Sequence, residues 1–130
     1  MTPILLCDTN AFAMVMTADD RLPGRARLSL QEARQVLVSA ISLYEIGQKV
    51  RLGKWPEMAS HVAGLERRAS EDGFQIEPLA PSVALRAALL DWEHRDPFDR
   101  MIASTALEAG FTLVSSDDAF DALRIPRIWG

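Results

Sequence analysis

Ile4-Leu5-Leu6-Cys7-Asp8 places an acid directly behind a short apolar run. A continuous apolar run of this length reads as a strand buried on both faces, the kind found in parallel sheets. Asp8 then stands where that strand hands over to a helix. Phe111-Thr112-Leu113-Val114-Ser115-Ser116 runs into Asp117 in the same way. His94-Arg95-Asp96-Pro97-Phe98-Asp99-Arg100 begins a helical stretch with two further acids. In an open α/β sheet the strands' carboxyl ends share one edge, and sites form there. Acids distant in sequence can therefore meet. Clustered carboxylates repel and require protons or a cation, and oxygen donors suit magnesium or manganese.

Outward from these stretches, apolar periodicity predicts strands at 3–7, 36–38, 74–77, 111–114 and 127–129. Helices are predicted at 10–17, 29–35, 41–52, 56–72, 82–92, 97–109 and 118–123. Ser29 and Glu32 resemble a capping box for the second of these. Residues 18–28, with Pro23-Gly24, read as a polar loop. Pro56, Pro81 and Pro97 mark helix starts, and Gly53, Gly73 and Gly110 mark ends. Strands alternating with helices imply parallel βαβ units in a three-layer α/β sandwich.

At 130 residues the chain is expected to be one domain, 1–130, and 48% hydrophobic residues suffice for a core. The net charge of −4 lacks the basic footprint of a stoichiometric nucleic-acid binder. It is compatible with a nuclease, whose acids are offset by metal. Cys7 is the only cysteine, which excludes an intrachain disulfide and reads as a buried small hydrophobe. No signal peptide or membrane-spanning run is expected, and a cytoplasmic location fits. His61 and His94 read as surface helix residues without zinc-site spacing.

Each acid also has a local explanation. Asp8, with Thr9 and Asn10 beside it, can cap the first helix, Asp96 can cap the helix begun by Pro97, and Asp117 or Asp118 can cap 118–123. Asp99 falls in a first helical turn, where the dipole favours an anion. Arg100 is expected to pair with Asp96 or another acid. Ser115 can donate a hydrogen bond to a ligating carboxylate. By periodicity Glu45 lies opposite the Leu43/Ile46/Val50 face and pairs with Lys49 at i,i+4, as a solvated residue would. Lys49, Arg51 and Lys54 form either a solvated helix end or a rim facing phosphate.

Together LLCDTNAF (5–12), SAISLYEIGQKVRLGK (39–54), HRDPFDRMIASTAL (94–107) and LVSSDDAF (113–120) resemble the motifs of PIN-domain ribonucleases, in particular VapC-type toxins of toxin–antitoxin pairs. The resemblance implies a mostly parallel sheet of about five strands flanked by helices. It makes Asp8, Glu45, Asp99 and Asp117 a catalytic quartet around Mg2+ or Mn2+, with Asp96, Ser115 and Asn10 as supporting neighbours. It implies an RNA substrate, a cognate antitoxin and a homodimer, with no membrane role. The helix at 41–52 is the expected wall of a groove for the antitoxin, whose Arg or Lys would enter the acidic pocket. Other readings fit less well. A receiver domain needs adjacent acids after its first strand and a late lysine, and a haloacid-dehalogenase-type phosphatase needs an acid at position 10, which is Asn10. A non-catalytic binding module on the same fold is the remaining alternative.

Overall fold

The computed structural model describes residues 3–130. Five strands form one sheet, all neighbours parallel, in the order β3-β2-β1-β4-β5. The strands are β1 (Ile4–Cys7), β2 (Gln35–Ser39), β3 (Phe74–Glu77), β4 (Thr112–Val114) and β5 (Arg127–Ile128). The chain builds outward from β1 to β3, then returns to the other side of β1 to lay down β4. The topological switch therefore falls between β1 and β4, the edge at which open α/β sheets build their sites.

Side chains alternate across the sheet as the pleat demands. Leu5 and Cys7 enter one core with Phe12, Val38, Ile46 and Phe74. Leu6 enters the other with Leu37, Ile102, Leu113 and Phe120. Phe12 meets Phe74 edge-on, with centroids 5.0 Å apart at 86°. Two cores on opposite faces make the expected three-layer sandwich, and Cys7 is buried as a small hydrophobe.

The helices are α1 (Thr9–Met16), α2 (Gly24–Glu32), α3 (Ala40–Arg51), α4 (Leu65–Glu71), α5 (Pro81–Leu89) and α6 (Pro97–Ala109), with 3-10 turns at Pro56–His61 and Asp118–Leu123. Three assignments differ from the sequence reading. Residues 18–23 form the expected loop, but α2 (24–32) replaces the rest of it and the helix at 29–35, starting just after Pro23. The Pro-Gly pair thus begins a helix instead of a turn, and buried Leu22 and Ala26 anchor it. Ser29 lies inside α2, so the Ser29/Glu32 box does not form. The single helix at 56–72 is interrupted at Gly64, whose φ of +71° is left-handed. The helix at 82–92 stops at Leu89, for a reason that lies in Arg100. Among the described residues no helix is long and apolar enough to cross a membrane.

Candidate active site

Asp8 and Asp117 lie just beyond β1 and β4 at the carboxyl edge of the sheet, and α3 and α6 carry Glu45 and Asp99. Asp8 follows β1 and caps α1, its Oδ1 accepting from the Ala11 N–H at 2.8 Å. Its Oδ2 accepts from the Ser115 hydroxyl at 2.5 Å. The Ser115 Oγ in turn accepts from the Asp117 backbone N–H at 3.0 Å. Asp117 caps the last 3-10 turn through Oδ1, 2.9 Å from the Ala119 N–H. Asp96 caps α6, accepting from the Phe98 N–H at 2.8 Å. These caps are as expected, and they hold their carboxylates in fixed poses at the crevice.

Glu45 is not solvated. It is 4% exposed, in the middle of α3. The helix face opposite Leu43, Ile46 and Val50 is covered at this edge of the sheet instead of facing solvent. Ser42 on the same face is fully buried and accepts from the Thr9 hydroxyl at 2.9 Å. The covered face is polar, so an apolar pattern cannot reveal it. Glu45 Oε2 accepts from Lys49 Nζ at 2.5 Å, and Oε1 is buried with no partner among the described residues. A buried, unsatisfied carboxylate oxygen is costly unless a cation or proton meets it.

The rim residues separate. Lys49 is held by Glu45 and lies 5.7 Å from the Trp55 ring centroid. Arg51 and Lys54 are exposed. Asn10 is exposed on α1, while its neighbour Thr9 faces inward.

His94 was not foreseen as a site residue. It lies in the segment between α5 and α6 instead of on a surface helix. Its Nε2 is 2.7 Å from Asp99 Oδ2. One donor atom each from His94, Asp99 and Asp117 lies within 4.8 Å of the other two. Asp8 and Glu45 stand outside that triad but close enough to act on it electrostatically. Burial, chiefly, pushes the Asp8 carboxyl up to about 6, with hydrogen bonds from Ser115 and Ala11 opposing and the charges of Asp99 and Glu45 adding. Burial likewise raises Asp99, opposed by its bond to His94 and reinforced by the charges of Asp96 and Glu45. Carboxylates raised by burial and by one another fit either a proton or a cation.

Arg100 pairs with no acid, contrary to expectation. Its guanidinium donates to the carbonyls of Ala87, Ala88, Leu90, Trp92 and His94, at 2.6–3.4 Å. It takes up the free carbonyls at the end of α5 and folds the segment that carries His94.

Three comparisons bear on this arrangement. The family model for the PIN domain matches residues 5–126. Ribonuclease VapC22 of Mycobacterium tuberculosis is 29% identical over 128 residues, spanning 98% of this chain and 96% of that protein. The crystal structure of M. tuberculosis VapC20, a Sarcin-Ricin loop cleaving toxin, superposes with a TM-score of 0.69 at 18% identity, over 97% of this chain and 99% of that one. VapBC2 from Rickettsia felis, bound to a promoter DNA fragment, gives 0.68 at 18% identity, over 98% and 99%. The structural likenesses establish the fold.

Proposed function

Because the chain belongs to the PIN-domain family, we propose that it is a divalent-metal-dependent endoribonuclease and the toxin of a toxin–antitoxin pair. The observation that carries this reading is Glu45 Oε1, buried and unpartnered beside two carboxylates whose proton affinity its charge raises. Such an oxygen fits a cation. The name of the VapC22 relative supports RNA as the substrate, and the VapB-bound Rickettsia structure supports an antitoxin partner.

Asp8, Glu45, Asp99 and Asp117 would hold the ion, which is Mg2+ or Mn2+ by the chemistry of their oxygens. When bound, the ion supplies charge neutralisation at the scissile phosphate and a more acidic water. The chain's own groups set the geometry. Ser115 fixes Asp8 and the Asp117 turn with one hydroxyl. Lys49 holds one oxygen of Glu45, leaving the other for the crevice. Asp96 orients the first turn of α6, which presents Asp99. Arg51 at the end of α3 and Lys54 just beyond it, both exposed, would meet the RNA backbone together with Lys49. The wall formed by α3 receives the antitoxin, and an Arg or Lys of that partner takes the cation's place. The working form is a cytoplasmic homodimer.

The test is cleavage of end-labelled single-stranded RNA by the purified chain. Cleavage is expected with Mg2+ or Mn2+, is expected to stop in excess EDTA, and is expected to fall on the order of 100-fold or more in Asp99→Asn. Cleavage that survives both changes would overturn the assignment.

A further inference from the structure

We propose that His94 is a direct nitrogen ligand of the metal ion, which gives the site a mixed imidazole–carboxylate set that favours Mn2+ over Mg2+. The proposal rests on the metal-site reading above and names a donor outside the acidic quartet.

The spacing supports ligation. His94 Nε2 and Asp99 Oδ2 are 2.7 Å apart. Adjacent donors on an octahedral ion with bonds of about 2.1 Å stand about 3.0 Å apart, and opposed donors about 4.2 Å. The pair is therefore already spaced as neighbouring vertices. Asp117 completes a group within 4.8 Å, close to the span of two opposed donors on such an ion.

The imidazole is also built into the crevice. Its ring packs on Trp92, with centroids 4.8 Å apart at 57°, and Trp92 rests on buried Phe120 at 5.5 Å. Arg100 Nη1 holds the carbonyls of both Trp92 and His94 at 2.9 Å. A histidine serving only as solvated surface has no use for these restraints. The nearby acids leave room for another donor. Asp8 and Glu45 lie outside the His94–Asp99–Asp117 group, and one oxygen of Glu45 is held by Lys49.

The exchange balances. Ligation through Nε2 would leave the ring's N–H on Nδ1, and any proton held between Nε2 and Oδ2 would pass to water. An imidazole donor binds borderline transition ions better than it binds magnesium. This sets the expected selectivity.

The experiment is electron spin-echo envelope modulation on the full chain with Mn2+ alone, without RNA. Directly bound imidazole 14N is expected in the wild type and is expected to vanish in His94→Gln. Calorimetry is expected to show Mn2+ affinity falling on the order of 10–100-fold in His94→Gln, with Mg2+ affinity changing less than about threefold. Bound Mn2+ without nitrogen coupling would overturn the proposal and leave the carboxylate site standing. Coupling that persists in folded His94→Gln would also overturn it. Failure of Mn2+ to bind at all would remove the metal-site reading itself.

Discussion

The Ser115 hydroxyl reaches across 107 positions of sequence to donate to Asp8 Oδ2 at 2.5 Å. The bond ties the end of β4 to the end of β1 at the topological switch. Because the same oxygen accepts from the Asp117 N–H, one buried hydroxyl sets two of the four acids.

Ser115→Ala removes both bonds and leaves the Asp8 oxygen and the Asp117 N–H short of partners. A loss of about 1–3 kcal/mol in folding stability is expected by urea denaturation. RNA cleavage is expected to fall about 10–100-fold, as for other groups that orient ligands. Wild-type cleavage in Ser115→Ala would show that this bond does not position the acids.

Asp8 makes the metal-free protein sensitive to pH. Its folded-state value of about 6 lies above the ordinary 3.8, so the folded chain holds the proton more tightly than the unfolded chain. That stability is fully present below about pH 4 and is lost as pH rises through about 6. By pH 7 ionised Asp8 costs the metal-free protein about 3 kcal/mol. In EDTA, Asp8→Asn is therefore expected to be more stable than wild type at pH 7, with a shallower decline between pH 4 and 7. Asn retains the cap acceptor. Divalent metal is expected to raise the melting temperature of wild type more than that of the variant. Identical pH profiles in EDTA would contradict the burial argument.

Arg100→Lys tests the α5–α6 connection. Five N–H groups meet five carbonyls in the native arrangement, and an ammonium offers at most three donors. A loss of about 2 kcal/mol is expected in chemical denaturation. Weaker metal binding is expected with it, because the segment carrying His94 loosens. A change below about 0.5 kcal/mol would place Arg100 among ordinary surface residues.

The partner reading predicts a stable complex with the product of an adjacent small upstream gene. Its affinity is expected to weaken with salt, because a partner Arg in the acidic crevice is an ionic contact. The complex is expected to suppress RNA cleavage. Failure to co-purify, together with failure to relieve growth arrest caused by this chain, would remove the toxin assignment while leaving the nuclease reading open.

The sheet and the strand-end acids were legible because they are local. The run Ile4–Cys7 and the Leu113-Val114 pair are apolar beyond what a half-buried strand needs, and Asp8 and Asp117 follow them directly. Asp96-Pro97 and Gly110 bound α6 by capping rules alone. Glu45 was legible only through family resemblance, because α3 buries a polar face against the crevice and hydrophobic periodicity cannot register that. Arg100 was misread because its partners are backbone carbonyls, which carry no side-chain signature. His94 was missed because nothing local brings it to Asp99; the folding of residues 90–96 around Arg100 does so. A histidine just ahead of an Asp-Pro helix start that carries a second acid was the available signal. Pro23-Gly24 misled because the same pair can open a helix or a turn, and buried Ala26 decided between them.

Acids from separate elements are expected to share one cation at the carboxyl edge of the sheet. Crystals soaked in millimolar Mn2+ and measured at the manganese absorption edge test it most directly. An anomalous peak is expected about 2.0–2.6 Å from carboxylate oxygens of both Asp99 and Asp117, lost in Asp99→Asn. No peak in the crevice, with the acids ordered and accessible to solvent, would contradict it.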